Sequence, residues 1–348
     1  MRQRKVMGGQ DQVSRRQFLI DAAAGAVAGA GAMHAVDRML LKPDDKTVPV
    51  PVPAPDVVRA YVESFATKHS FDAGLLIGRC AEFGIPPLLV LAQINVESKF
   101  NARAENKSSG DKGFMQIRED KIGIFLDGVQ RLLADSVSPN EETSGKASAT
   151  LRLILPDEEE RTGIEEAFKD VTDEIAVGKP PRLGEPGVNE LGRRLVNRLV
   201  EAYDPFNTNL NIYVGVGYDG QMYGKFPEIF QHEERMKFML ASYCGGLGYV
   251  NAALRLAREK EGGDTDRLIE KNAASWWPAE LHPPELFPPG TWQTWEYAHP
   301  FLKDERCFVK RGDKKIWPKA GEIIAYVGDV TAGYGEHLKA VAKLRDKK

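Results

Sequence analysis

The chain has 348 residues, of which 42% are hydrophobic and 28% charged, with a formal net charge of −3. This length predicts one large or two modest domains with enough chain to bury a core. The small net charge gives no indication of nucleic-acid binding, and the three cysteines lack the spacing of a zinc site or a disulfide scaffold, so we expect no metal or other cofactor.

The first 35 residues have the pattern of an export signal. The pair Arg15-Arg16 precedes a small-residue apolar run from 22 to 35. A basic stretch ahead of a modest apolar core is typical of a signal peptide, and the paired arginines resemble a twin-arginine (Tat) signal. Glycines in the run and Asp21 before it make a poor membrane span. We therefore expect a periplasmic protein that contacts a membrane only if the signal stays uncleaved; an ordinary N-terminal helix is the alternative.

Residues 36–57 predict a proline-rich linker. Every second residue from Val48 to Pro55 is a proline, which favours extended polyproline II and removes amide donors. Such a segment is a semi-rigid spacer. We expect the folded domain to occupy residues 58–348 and, in an exported protein, to act on the cell wall.

Residues 72–99 predict two helices separated by a break. The break is Gly-Ile-Pro-Pro at residues 84–87, because glycine suits a helix C-terminus and proline is tolerated in the first turn of the next helix. The second helix runs from about Pro86 to Lys99.

Glu97 lies on an apolar stripe of this second helix. Val90, Ile94 and Glu97 are spaced i, i+4 and i+7, so they share one face. Burial raises the pKa of a carboxyl, which suits a general acid at neutral pH. A glutamate near a helix end is more commonly a boundary residue, so the stripe alone is a weak indication of catalysis.

Two segments around Glu97 form a longer pattern. Residues 96–101 read Val-Glu-Ser-Lys-Phe-Asn, and residues 110–117 read Gly-Asp-Lys-Gly-Phe-Met-Gln-Ile. Further along, Tyr203-Asp204-Pro205 is followed by Asn211-Ile212, Gly215 and Tyr218. The last two segments are Ala-Ser-Tyr-Cys-Gly-Gly at 241–246, and Glu322 with Tyr326-Val327.

Together these ordered segments resemble the lytic transglycosylases of the soluble, lysozyme-like (SLT domain) type. That family has Glu-Ser-x-Phe-Asn, a glycine-rich turn closing in Gly-Leu-Met-Gln, an Asp-Pro…Asn-Ile…Gly…Tyr helix, an Ala-Tyr-Asn-x-Gly turn and a closing Glu-Thr-x-x-Tyr-Val helix. Here Phe114 replaces the leucine, and Cys244 stands where asparagine is expected. Cys244 is the main departure, because a thiol barely replaces an amide donor and acceptor.

The resemblance implies a reaction for Glu97. It would protonate the β-1,4 glycosidic oxygen between MurNAc and GlcNAc in peptidoglycan. It would then deprotonate the MurNAc 6-hydroxyl, which closes a 1,6-anhydro ring. No water is consumed, so one carboxylate suffices, whereas a glycoside hydrolase normally needs two.

The resemblance also implies supporting residues. Met115 and Gln116 would line the saccharide groove, although Met115 outside this family would be a core residue. Ser98 would orient the substrate or the helix, or would simply be a polar residue at the helix end. Tyr243 would hydrogen-bond Glu97 and is otherwise a core tyrosine; Tyr218 is comparable.

Residues 118–202 predict a helical insertion. They separate two segments that are close together in compact family members, and their apolar residues are helix-spaced, namely Ile122, Phe125, Val129, Leu132, Ile164, Phe168, Val171, Ile175, Val188, Leu191, Leu195 and Leu199. The insertion would cover the groove, bind a protein partner, or be an external elaboration. All five tryptophans lie between Trp276 and Trp317; we expect mainly packing there, with one or two at the groove.

The expected fold is mainly helical (α+β lysozyme-like), with at most a short hairpin near Gly110–Gln116. Two rival functions stay open. A muramidase would hydrolyse the same bond and would need a carboxylate such as Asp111 or Asp120 to activate water. A wall-binding protein with a degenerate lysozyme-like domain is the non-enzymatic alternative, motivated by Cys244 and the insertion.

Overall fold

The computed structural model describes residues 55–176, 186–229, 231–261, 291–311 and 314–345. The signal-like segment, the linker up to residue 54, and Trp276 and Trp277 lie outside the described residues. The chain divides into two compact units, Glu105–Val214 and a second unit whose described residues lie at 55–104 and 215–345. The chain is mainly helical, which confirms the predicted class.

The unit Glu105–Val214 begins with a two-stranded hairpin. Strand β1 (Glu105–Asn106) pairs antiparallel with β2 (Asp111–Lys112), and Lys112 forms a further bridge to Ile117. The expected hairpin is therefore present. The helices of this unit are α4 (Ile122–Ser136), α5 (Glu141–Ile154), α6 (Glu158–Ala176), α7 (Pro186–Glu201) and the first residues of α8 (Thr208–Tyr223).

Burial confirms most of the helical spacing predicted for residues 118–202. Of the predicted residues, seven are buried, namely Ile122, Phe125, Val129, Ile164, Val171, Leu195 and Leu199. Leu132 and Phe168 are half-buried, and the burial of Ile175, Val188 and Leu191 lies outside what the structure describes. Helix α4 packs against α5 and α7, and α6 packs against α7. These apolar faces thus form a core of their own within this unit.

The elements of the second unit are α1 (Pro55–His69), α2 (Ala73–Phe83), α3 (Pro87–Ser98), the rest of α8, α9 (His232–Gly245), α10 (Leu247–Lys260), α11 (Trp295–Ala298), β3 (Val309–Arg311), β4 (Lys314–Ile316), α12 (Ala320–Arg345) and 3₁₀ turns at Thr291–Gln293 and His299–Lys303. This unit is built around α3. Helix α3 packs against α1, α2 and α12, while α9 packs against α10 and α12. Seven consecutive residues of α3, from Leu88 to Ile94, are buried.

The break between α2 and α3 has the predicted cause. Asp72 caps α2 by accepting a 2.7 Å hydrogen bond from the Leu75 amide. Gly84 ends α2 in the left-handed conformation, with φ 66°, which glycine adopts without steric cost. Pro87 then opens α3, where a missing amide hydrogen costs nothing.

A second hairpin contradicts the expectation of at most one. Strands β3 and β4 pair antiparallel in the register Val309–Ile316. Three-residue strands rich in lysine and arginine carry no apolar alternation, so the pattern of the sequence does not indicate them. The Gly312-Asp313 dipeptide in the sequence, which favours a tight turn, was the available signal.

The tryptophans that the structure describes differ in burial. Trp295 is 6% exposed and packs edge-on against Phe238, with ring centroids 5.6 Å apart. Trp292 is half-buried, and the guanidinium carbon of Arg258 lies 3.8 Å from the centroid of the Trp292 ring. Trp317 is 52% exposed. Packing of the segment is therefore confirmed for Trp295.

Among the described residues, a single helix long and apolar enough to cross a membrane is not found. Helices α2 and α3 reach that length and composition only as a pair, and the pair is bent by 112°.

Candidate active site

Glu97 lies in the last turn of α3, where a tyrosine from the other end of the chain contacts it. The hydroxyl of Tyr326, on α12, donates a 2.6 Å hydrogen bond to Oε1 of Glu97. Tyr326 is 9% exposed, whereas Glu97 is half-buried. The carboxyl therefore has one oxygen held by a buried donor at the edge of the core.

The backbone after Glu97 is held in an uncommon conformation. Lys99 and Phe100 both have positive φ, 54° and 59°, which non-glycine residues adopt at an energetic cost. The Lys99 amide donates to the Asn95 carbonyl and ends α3, and the Phe100 ring stacks on His69 at 4.3 Å. This packing fixes the turn that follows the carboxyl.

A second carboxyl lies beneath Glu97 in the core. Asp219 on α8 is fully buried, and its Oδ1 accepts a 3.2 Å hydrogen bond from Nε2 of Gln93. Gln93 is also fully buried and precedes Glu97 by one helical turn. The negative charge of Glu97 acts on Asp219, so the two carboxyls belong to one electrostatic cluster.

Burial and the charge of Glu97 raise the pKa of three acids around it. Burial, and next the charge of Glu97, raise the pKa of Tyr326 well above its usual value. The same two causes raise the pKa of Asp219 well above that of an ordinary aspartate. For Cys244 they raise the pKa of the thiol to about 12. Each of these three groups is thus shifted towards its protonated form by burial and by Glu97.

Tyr218 and Tyr243 lie in the same unit as Glu97 and contact each other. Their ring centroids are 5.2 Å apart in a tilted arrangement. Tyr218 is 9% exposed and Tyr243 is half-buried. The donor at 2.6 Å from Glu97 is Tyr326, so the expected bond from Tyr243 stays a prediction.

Ser98 contributes to the end of α3. Its side chain is buried, and its hydroxyl donates a 3.2 Å hydrogen bond to the carbonyl of Ile94, one turn earlier. This bond agrees with the alternative in which Ser98 is a polar residue of the helix end, because it stabilises the turn that carries Glu97.

Met115 and Gln116 lie in the other unit, Glu105–Val214. Met115 is fully buried, which corresponds to the core alternative for this residue. Gln116 is half-buried with a positive φ of 47°, and its Nε2 donates a 2.8 Å bond to the Gly113 carbonyl. The groove role stays a prediction for Gln116.

Asn211 fixes the turn that contains these two residues. Its Oδ1 accepts a 2.7 Å bond from the Met115 amide. Its Nδ2 donates at 2.9 Å to the carbonyls of Lys112 and of Pro205. Gly113, with φ 79°, lies so close to Asn211 that a side chain there would collide with it. The asparagine therefore ties the hairpin to the Asp-Pro segment.

The carboxylates named for a hydrolase, Asp111 and Asp120, also lie in the unit Glu105–Val214. Each is within 4 Å of Arg118, at 3.9 Å for Asp111 and 2.9 Å for Asp120. In the described part of the chain, no group of three or more histidine, cysteine, aspartate or glutamate side chains could hold a metal ion.

The three cysteines are free thiols. Cys80 and Cys307 are buried, whereas Cys244 is exposed. Although the residue Cys244 as a whole is exposed, its sulfur atom is largely surrounded by protein, and this burial raises the pKa of the thiol. The thiol at the expected asparagine position is therefore a neutral group beside Glu97.

Two residues of this cluster were not singled out from the sequence. Tyr326 belonged to the closing segment of the resemblance but was given no role. Asp219 follows Tyr218 directly, and an aspartate between the buried Val216 and Met222 on an apolar helix was the available signal.

Comparison with known proteins adds no assignment. No protein-family model matches the chain, and a search of curated proteins gives no match.

Proposed function

We propose that this protein is a peptidoglycan lytic transglycosylase that uses Glu97 as its single acid and base. The observation that carries the proposal is the 2.6 Å hydrogen bond from Tyr326 to Glu97, in a cluster where burial and the charge of Glu97 raise the pKa of the neighbouring acids. A half-buried carboxyl with a buried donor on one oxygen is suited to give up and recover a proton. The ordered motifs around Glu97, Tyr218, Tyr243 and Tyr326 support the same conclusion.

The proposed chemistry is the reaction that the resemblance implies. Glu97 protonates the glycosidic oxygen between MurNAc and GlcNAc, and the Tyr326 hydroxyl stabilises the carboxylate that remains. The carboxylate then takes the proton of the MurNAc 6-hydroxyl as that oxygen bonds to the anomeric carbon. The products are a free GlcNAc 4-hydroxyl and a 1,6-anhydroMurNAc end, and Glu97 is protonated again.

A muramidase is supported less well. Hydrolysis needs a second carboxylate that reaches water or the anomeric carbon. Asp219, which interacts electrostatically with Glu97, is fully buried, so it reaches neither bulk water nor a bound sugar. Asp111 and Asp120 both lie within 4 Å of the guanidinium of Arg118 in the unit Glu105–Val214, and neither is shown to contact Glu97.

The proposal includes a lysozyme-like arrangement of the helices around α3, export to the periplasm, and action on glycan strands. The helices between residues 118 and 202 have a core of their own. We propose that they limit access to the strand or bind a protein partner.

The test is the release of glycan from purified sacculi by the protein and by Glu97→Gln. Glutamine keeps the shape of the side chain but cannot transfer the proton, so we expect a loss of at least ~100-fold in rate. Glu336→Gln is the matched control, because Glu336 is a surface residue of the same unit, 72% exposed and paired with Lys339. Equal, small release by the protein and Glu97→Gln would overturn the proposal and favour a wall-binding protein.

A further inference from the structure

Asp219 is placed where a charged carboxylate is poorly solvated. It is fully buried on α8 and accepts one hydrogen bond, from Nε2 of Gln93. Its Oδ2 and Oε1 of Gln93 have no hydrogen-bond partner among the described residues. A buried carboxylate with a single neutral donor loses far more hydration than it regains, whereas an uncharged acid loses much less.

Asp219 interacts with side chains from three neighbouring helices. They are Cys80 on α2, Gln93 and Glu97 on α3, and Tyr326 on α12. These neighbours are neutral or acidic, so they supply no positive charge to stabilise an ionised Asp219. Burial, and then the charge of Glu97, raise its pKa well above the usual value, and the bond from Gln93 offsets only part of this.

The pairing with Gln93 also fits an uncharged acid. The side-chain amide can turn about its last bond, and Oε1 of Gln93 then faces Asp219. A protonated carboxyl donates to that oxygen, whereas a carboxylate has no hydrogen to donate. Protonation thus gives the Gln93 oxygen a partner that an ionised Asp219 cannot supply.

We propose that Asp219 is a positioning residue for Glu97, acting as an uncharged carboxylic acid that holds Gln93. Gln93 and Glu97 are one helical turn apart and lie on the same side of α3. Holding Gln93 against α8 therefore fixes the rotation of the helix end that presents Glu97 to Tyr326. The effect on activity rests on the proposed function; the charge of Asp219 and its bond to Gln93 do not.

The catalytic test compares two replacements of similar size in the full chain. Asp219→Asn keeps an uncharged hydrogen-bonding group, so we expect kcat within about threefold of the native value. Asp219→Leu removes the bond to Gln93, so we expect kcat to fall about tenfold or more with KM unchanged. Loss of activity in Asp219→Asn as severe as in Glu97→Gln would show that the charge is needed. Native kcat in Asp219→Leu would exclude a positioning role.

Two measurements do not depend on glycan cleavage. In Glu97→Gln, where Glu97 itself cannot contribute, the infrared carbonyl band of a protonated carboxylic acid should be present at neutral pH. It should be absent when Asp219→Asn is added and retained when Asp329→Asn, which changes an exposed aspartate, is added instead. A Glu97→Gln protein without this band would overturn the uncharged acid. In urea unfolding, the losses of unfolding free energy caused by Gln93→Leu and by Asp219→Leu should not add up in the double variant, because both remove the same bond. Additive losses would overturn the pairing. If both results hold while sacculi stay intact, the proposed function fails and the neutral Asp219–Gln93 pair stands.

Discussion

The Tyr326 hydroxyl lies 2.6 Å from Oε1 of Glu97, although 229 positions separate the two residues in the chain. The bond joins the last turn of α3 to α12, and α12 packs along α3. The carboxyl on which the proposed reaction depends is thus oriented by the C-terminal helix.

Replacing Tyr326 with phenylalanine should slow the reaction while leaving the helix packing intact. Hydrogen bonds to charged groups contribute about 1.5–3 kcal/mol, so we expect kcat to fall about 10- to 100-fold with little change in KM. Tyr334→Phe, at a half-buried tyrosine of the same helix, is the matched control and should be near native. Equal rates for the two variants, measured on sacculi, would contradict the role of the bond.

The stability of the protein should depend on pH through Asp219. Its folded pKa is raised above the unfolded value of about 3.9. The stability contributed by the protonated acid is therefore complete below pH ~4 and is lost as pH rises through the folded pKa. Asparagine does not titrate, so Asp219→Asn should gain stability relative to the native protein, by up to ~1.4 kcal/mol for each pH unit in that window.

Urea unfolding at a series of pH values measures this difference. Asp329→Asn, at an exposed position on α12, should follow the native curve. The difference in unfolding free energy between Asp219→Asn and the native protein should grow above pH 4. If that difference stayed constant above pH 4, Asp219 would be ionised in the folded state.

Asn211→Ala should loosen the hairpin of the unit Glu105–Val214. The change removes three hydrogen bonds, to Met115, Lys112 and Pro205, that tie the hairpin to the Asp-Pro segment. We expect a loss of about 2–4 kcal/mol in unfolding free energy and faster proteolysis near the turn. Asn251→Ala, at an exposed position on α10, should change neither; the same proteolysis rate in both variants would be inconsistent with the clamp.

Trp295 and Trp317 should differ sharply when truncated. The Trp295 ring is buried, and its backbone amide, which alanine keeps, donates a 2.5 Å bond to Glu234. Trp295→Ala empties the space of the ring, so we expect a loss of about 3–5 kcal/mol in unfolding free energy. Trp317→Ala removes a ring that is 52% exposed, so we expect a loss of less than ~1 kcal/mol in unfolding free energy. Thermal unfolding distinguishes the two, and a large effect of Trp317→Ala without any ligand would be the unexpected result.

Local features of the fold could be predicted because their causes are local. The break at Gly84 and Pro87 depends on the conformations of those residues alone. The helical faces of residues 118–202 follow from apolar spacing. The hairpin of β3 and β4 could not be predicted in this way, because its short, basic strands are stabilised by pairing rather than by an apolar face.

The site was predictable only where a motif is continuous. Glu97 is marked by its neighbours in sequence, but its hydrogen-bond donor comes from α12, and periodicity carries no information on such distant pairs. Tyr243 was the expected donor and stays a prediction, while Tyr326, which was given no role, donates at 2.6 Å. Asp219 reads as an ordinary polar residue until its complete burial is known.

The central claim is that Glu97 transfers both protons while the sugar supplies its own nucleophile. The most direct test is mass spectrometry of the fragments that the full-length protein releases from purified sacculi. We predict 1,6-anhydroMurNAc ends, lighter by one water than reducing ends, and their absence with Glu97→Gln. Reducing MurNAc ends from the native protein would contradict the account and identify a muramidase.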